Sequence, residues 1–489
     1  MSRTHPILIQ GGMGIAISDW KLARSVSLLG QLGVISGTAI ATVLVRRLQD
    51  GDRDGQMRLA LKNFPSQAIA QKILDQYFIE GGRSPEVPYK RTPMYTLQPS
   101  IPLLQLTVAA CFCEVFLAKV GHSGLVGLNL LEKIHIPNLA CLYGALLADV
   151  DYVIMGAGIP REIPGALDLL SQNLPAKLKI PVQDASPDVE TWTHFDPVAV
   201  MQGTELKPLK RPFFFPIVSS SVLANSLKKK STGEVNGFIV EGPLAGGHNA
   251  PPRGPMKLDE AGEPIYGPRD QVDFAEMKEL GLPFWFAGSY ATPEKLKSIL
   301  DAGGNGIQVG TLFAFSNESG LAADLKKTVV ERIHSGQTEG WVFTDPVSSP
   351  TGFPFKAVRL AGSMSEQPVY EQRKRICDLG YLRHAYQTAD GKVGLRCPAE
   401  PVEDYIKKGG DVVETKGRKC LCNALMADIG MGQVQSWGDR ELPLLTAGDD
   451  LNQLKRILKG RAEYSAGDVL SYLLETEAQP KASIHSTLL

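Results

Sequence analysis

The sequence is poor in cysteine, balanced in charge and without a long hydrophobic run, and each shortage excludes a class of protein. Seven cysteines in 489 residues is a low and odd number. It argues against a disulfide scaffold and for reduced thiols, unless a metal gathers some of them. Lysine and arginine total 51 against 52 aspartates and glutamates. A formal charge of −1 gives no electrostatic footprint for nucleic acid or an anionic membrane. The most apolar stretch, residues 101–113, is interrupted by Gln105 and Thr107 and falls short of the ~18 apolar residues of a spanning helix. The first apolar run, Ile7-Leu8-Ile9, breaks at Gln10-Gly11-Gly12; a secretory signal needs roughly 7–15 apolar residues. The expectation is a cytoplasmic protein with no nucleic-acid or membrane partner. The sequence sets no oligomeric state. No repeat of fixed period and no low-complexity tract occurs. Two nucleotide signatures are also missing. Gly-x-x-x-x-Gly-Lys-Ser/Thr is absent, Gly12-Met13-Gly14-Ile15-Ala16-Ile17 lacks a third glycine, and Gly156-Ala157-Gly158-Ile159-Pro160 puts proline at the helix start.

What the chain does have is punctuation, with 49 glycines and 33 prolines. Short apolar runs end in small residues and lead into longer helical stretches. Eight such runs occur, at 6–10, 33–36, 125–131, 151–155, 213–218, 237–241, 283–287 and 306–309. Helices are predicted at 18–29 (capped by Ser18 or Asp19), 43–48, 137–147, 219–227 and 293–302. Eight strand–helix units predict an α/β fold, a (β/α)8 TIM barrel, over an open doubly wound sheet. Residues 50–100 read as a polar, proline-rich excursion, 101–120 as an extra strand and helix, and 250–273 as a long loop at the top of the barrel. Past residue 360 the pattern stops. The division is a barrel over 1–360, with insertions at about 50–120 and 250–273, and an appended, mostly helical region over 361–489 with helices at 451–458 and 466–474.

Barrel active sites lie at the C-terminal ends of the strands. The residues there include Gln10-Gly11-Gly12-Met13, Gly37, Asn129, Gly156–Gly158, Ser219, Glu241 to His248, Gly288-Ser289 and Gly310-Thr311. The last two pairs are Gly-rich turns ahead of helices, where oriented amides cradle a phosphate. In Glu241-Gly242-Pro243-Leu244-Ala245-Gly246-Gly247-His248, glycines let a flat ligand approach the backbone, and His248 is an acid or base near neutral pH. A phosphate at one rim and glycine-lined walls for a planar group point to a mononucleotide cofactor. The blander readings stand beside these. His248 can be a turn histidine, Gly310-Thr311 a tight turn with a helix cap, and Glu241 a satisfied buried carboxylate.

Three segments carry a resemblance. Pro6-Ile7-Leu8-Ile9-Gln10-Gly11-Gly12-Met13, Ala245-Gly246-Gly247-His248 and Gly306-Ile307-Gln308-Val309-Gly310-Thr311-Leu312-Phe313 resemble the nitronate monooxygenases, formerly 2-nitropropane dioxygenases. These are FMN-dependent (β/α)8 flavoproteins. Their superfamily includes FMN-dependent enoyl reductases of fatty-acid, polyunsaturated fatty-acid and polyketide synthases. The resemblance spans about residues 6–360. It implies that Gly11, Gly12 and Met13 line the flavin ring and that Asn129 hydrogen-bonds it. Glu241 would contact FMN, and Gly246 and Gly247 would lie along it. Gly288, Ser289, Gly310 and Thr311 would bind its phosphate, with His248 the catalytic histidine. Ser219, at the fifth strand end, joins the cofactor-binding candidates. Where many members have Gly-Gly after strand seven, this chain has Gly288-Ser289, which offers two amides plus a hydroxyl.

The implied activity is oxidation of alkyl nitronates with O2 to a carbonyl compound and nitrite. The alternatives are an FMN-dependent NAD(P)H enoyl reductase acting on a carrier-bound thioester, which the loop after His248 and the extension would suit, or a non-catalytic flavin-binding assembly partner. Cys377, Cys397, Cys420 and Cys422 lie in the extension. They could hold zinc or an iron–sulfur cluster, but the spacing lacks paired C-x2-C knuckles, so no metal is expected and buried free thiols are the preferred reading. Cys111 and Cys113 read as core.

Overall fold

Strands that are apolar on both faces need cover on both faces, which a closed parallel barrel wrapped in helices provides. The computed structural model describes residues 5–186 and 188–475. The eight runs form parallel strands: β1 Leu8–Gln10, β2 Leu32–Ser36, β3 Val126–Leu131, β4 Tyr152–Gly156, β5 Phe213–Val218, β6 Phe238–Glu241, β7 Phe284–Ala287 and β8 Gly306–Val309. They close into one barrel in chain order, with β8 pairing back onto β1, Leu8 opposite Ile307. The expected (β/α)8 barrel is the observed fold.

Side chains alternate along each strand. Ile9, Val34, Tyr152, Ile154, Phe215, Ile239 and Trp285 point inward as a separate buried cluster. Leu8, Ile35, Val153, Phe214, Val240 and Phe286 belong to the larger core shared with the helices. The lower end is plugged by aromatics. Phe215 stacks on Trp285 with centroids 5.0 Å apart, and the His5 ring stands edge-on to Phe213 at 5.2 Å. Trp285 Nε1 donates to the Pro6 carbonyl at 3.0 Å.

Asp19, one of the two proposed caps, accepts from the Lys21 and Leu22 amides and starts the helix Trp20–Leu28. Residues 50–100 hold two helices, Gln56–Lys62 and Gln67–Tyr77. The extra strand expected within 101–120 does not form. One helix runs through Ile101–Lys119, because after Pro102 in its first turn nothing breaks it. Against the expectation that this stretch falls short of a spanning helix, it is long and apolar enough to cross a membrane, because Gln105 and Thr107 do not interrupt the helix; 78% of its apolar window is buried within the protein. Cys111 and Cys113 lie in its buried part. Arg47 docks this helix to the barrel by pairing with Asp19, at 3.1 Å, and with Glu114. The pairing opposes a desolvation that raises both carboxyls.

Between β4 and β5 stands a hairpin that the eight-unit reading left unassigned, Ala176–Ile180 against Thr191–Phe195. Its signal was the alternation Ala176-Lys177-Leu178-Lys179-Ile180, buried and exposed in turn. Past residue 360 the described residues form helices and a hairpin, His384–Gln387 with Val393–Arg396, joined by Val182–Gln183. Helix Ala466–Leu474 packs back on Trp20–Leu28 and Pro293–Asp301. The last 14 positions of the region, 476–489, lie outside the described residues.

Candidate active site

At the upper end the inward aromatics give way to glycine, and a cavity of about 190 Å3 opens over the strands. Its β1 wall is the turn Gly11-Gly12-Met13. Ser18 fixes that turn, its hydroxyl donating to the Gly11 carbonyl at 3.0 Å and accepting from the Met13 amide at 3.0 Å. Gln10 is spent on structure, accepting from the Val34 amide at 3.1 Å and donating to Ser18 Oγ at 2.9 Å. A Cβ on Gly12 would lie 2.3 Å from that of Asn129. Only glycine lets β1 and β3 meet there and leaves the Asn129 amide at the cavity. On β8, Gln308 lines the same space, and its buried Oε1 has no partner. Glu241 closes β6, where desolvation raises its carboxyl to about 7.

The second wall is the segment from Ala245 to His248. A Cβ on Gly246 would lie 2.7 Å from the Ala447 carbonyl carbon, so the C-terminal region comes into direct contact here. Asn249 braces the turn by donating to the Ala245 carbonyl at 3.2 Å. Gly247 and His248 pair antiparallel with Lys356 and Phe355. The His248 ring stands edge-on to Phe355 at 5.0 Å. Desolvation lowers its pKa to about 4, so the imidazole is neutral at pH 7. Its Nε2 lies 2.7 Å from Ser349 Oγ. Arg418 holds the Ser349 loop by donating to the Val347 and Ser349 carbonyls at 2.7 and 2.6 Å.

The third wall joins the ends of β7 and β8. Gly288 and Ser289 take φ of 89° and 61°, which turns the chain across the cavity rim. Gly310 and Thr311 open the short helix Thr311–Ala314. Here the expectation needs correction. The Ser289 hydroxyl, proposed for phosphate, donates to the Leu244 carbonyl at 3.0 Å and accepts from the Asp450 amide at 3.2 Å. The Thr311 hydroxyl accepts from the Gly448 amide at 2.9 Å. Both side chains grip the segment from Thr446 to Asp450, and the backbone is what remains for a ligand.

Of the sequence-predicted residues, Gly11, Gly12, Met13, Asn129, Glu241, Gly246, Gly247, His248, Gly288, Ser289, Gly310 and Thr311 all line this one cavity. Ser219 lies outside the lining, because the chain turns at Ser220, which caps the helix Ser221–Lys230. Gln308, Thr446, Gly448 and Asp450 were missed. Gln308 had a signal, a lone amide in the apolar run of β8. The other three had none, being far along the chain in a region without motif.

Cys377, Cys397, Cys420 and Cys422 come together around another small cavity as free thiols. Burial pushes Cys377 up to about 12. Among the described residues no group of three or more His, Cys, Asp or Glu side chains is disposed to hold a metal ion.

No family model and no curated protein matches the chain. Similar solved structures include FabK from Thermotoga maritima, at 15% identity and a TM-score of 0.43, covering 96% of this chain and 92% of that one. The nitroalkane oxidase from Streptomyces ansochromogenes is 14% identical, with a TM-score of 0.47 and coverage of 96% and 95%. The enoyl reductase domain of MlnA, from the macrolactin biosynthesis cluster of Bacillus amyloliquefaciens, is 10% identical, with a TM-score of 0.46 and coverage of 96% and 92%.

The lining fits a flavin mononucleotide. Glycine walls admit a flat ring, Asn129 and the unpartnered Gln308 Oε1 offer a donor and an acceptor, and the turns at Gly288-Ser289 and Gly310-Thr311 present backbone amides.

Proposed function

We propose that the protein is an FMN-dependent oxidoreductase of nitronate monooxygenase type, converting an alkyl nitronate and O2 to a carbonyl compound and nitrite. Gly11, Gly12, Met13, Asn129 and Gln308 would hold the ring, and the amides at Ser289, Gly310 and Thr311 the phosphate. The flavin, when bound, supplies the electron transfer. The observation that carries the reading is His248, a half-buried, neutral imidazole in the cavity wall. A base with a pKa near 4 is poorly matched to taking a carbon-bound proton at pH 7. The same neutral ring can donate a hydrogen bond to the oxygen of a substrate that is already an anion. His248 therefore favours the nitronate over the neutral nitroalkane. Ser349 fixes the ring, and Phe355 and Leu425 keep that side of the cavity apolar.

A second reading, an NAD(P)H-dependent enoyl reductase, draws on Glu241. A carboxyl held near 7 at the cavity can deliver the proton that reduction of a carbon–carbon double bond consumes. Anaerobic mixing separates the two. Bleaching of the flavin absorbance by a nitronate but not by NADPH supports the first reading. Rapid bleaching by NADPH alone replaces it with the second.

A further inference from the structure

We propose that Asp450 is a proton-controlled gate on the phosphate end of this cavity: with its carboxyl neutral the site admits a phosphate monoester, and with it ionised the site turns the phosphate away. The inference rests on the flavin reading above.

The geometry comes from the C-terminal region. The strap from Gly448 to Asp450 is pinned to the rim by three bonds. The Gly448 amide donates to Thr311 Oγ1 at 2.9 Å, the Asp449 amide to the Leu244 carbonyl at 3.1 Å, and the Asp450 amide to Ser289 Oγ at 3.2 Å. The strap thus delivers a carboxyl to the turns whose amides suit a phosphate. Asp450 lines the cavity, is buried, and its Oδ1 has no partner. A buried carboxylate with one oxygen unpartnered is costly, whereas a carboxylic acid can donate to an anionic oxygen.

The charges around it do not cancel the ionised form. Lys295, on the helix Pro293–Asp301, is the cation that acts on Asp450, and its Nζ is engaged with the Ser289 carbonyl at 2.5 Å. Asp449 beside it is held by Lys356, from the strand Phe355–Val358, at 2.6 Å. Glu241 and His248 line other parts of the cavity. Ser289 and Thr311 offer only neutral hydroxyls. Desolvation, helped by the neighbouring Asp449 charge, raises the Asp450 carboxyl to about 6, against the smaller opposing effects of a hydrogen bond from the Thr311 hydroxyl, its own backbone amide and Lys295. Above that pH a phosphate would meet a second anion.

The test uses the full chain freed of flavin, titrated with FMN and with riboflavin from pH 5 to 8 and followed by flavin fluorescence. Riboflavin has the same ring and no phosphate. In the wild type the FMN affinity relative to that of riboflavin should fall by up to about tenfold per pH unit above 6, since Glu241, which titrates near 7 in the same cavity, acts on both ligands alike. Asp450→Asn should remove the fall and bind FMN at least about tenfold more tightly than wild type at pH 8. The FMN-to-riboflavin affinity ratio of the wild type needs no variant. A phosphate gains charge near pH 6, so without a gate an amide-lined site makes this ratio level or rising, and with the gate it falls. A level or rising ratio, or equal pH slopes in wild type and Asp450→Asn, overturns the gate alone. Failure of both ligands to bind at every pH overturns the flavin reading with it.

Discussion

The two ends of the barrel are built from the same alternating strands and differ in what their inward positions carry. At the lower end Tyr152, Phe215 and Trp285 fill the interior. At the upper end Gly11, Gly12, Gly246, Gly288 and Gly310 leave it open. The contrast places the cavity by side-chain volume alone. It also separates two roles: the lower end supplies stability, and the upper end gives some up to hold polar groups that lack partners.

Three substitutions test this division of roles between the two ends. The largest effect is expected at the closed end. Trp285→Ala should lower stability by about 3–5 kcal/mol in urea melts, since nothing can refill the space beneath Phe215, while the folded fraction still binds flavin. Loss of flavin from fully folded Trp285→Ala protein would undo the separation. Next comes His248→Ala at the open end. Turnover of nitronate should fall about 100-fold or more, with the melting temperature little changed. Full turnover would remove the residue from the reaction. The smallest effect belongs to Glu241. Its carboxyl is raised from the usual range to about 7, so the unfolded chain releases this proton more readily than the folded one. That penalty is absent below about pH 4, grows as pH rises to 7, and is constant above. Glu241→Gln should therefore raise the apoprotein melting temperature at pH 8 by more than at pH 5. An equal gain at both values would mean the carboxyl is not held neutral.

The sequence showed the two ends unequally. The closed end was legible as eight apolar runs, since burial on both faces leaves a short continuous apolar stretch. The glycine turns were legible because close approach demands glycine wherever it occurs. The hairpin at 176–195 was passed over although its alternation stood in the residues. The strap from Thr446 to Asp450 was not readable at all. Its place at Thr311 and Ser289 is set by contacts more than 130 positions apart along the chain, and no local pattern encodes them. The division at residue 360 likewise followed where the strand pattern ends, whereas the chain beyond it supplies part of the site.

If the open end is a flavin site, the flavin itself is the thing to measure. That measurement is the identity and stoichiometry of the chromophore released from the purified 489-residue chain, with FMN added back where the protein is colourless. Close to one FMN per chain is expected, with loss of that binding when Gly12 is replaced by valine, which would drive a side chain into Asn129. A protein that neither carries nor takes up FMN would contradict it.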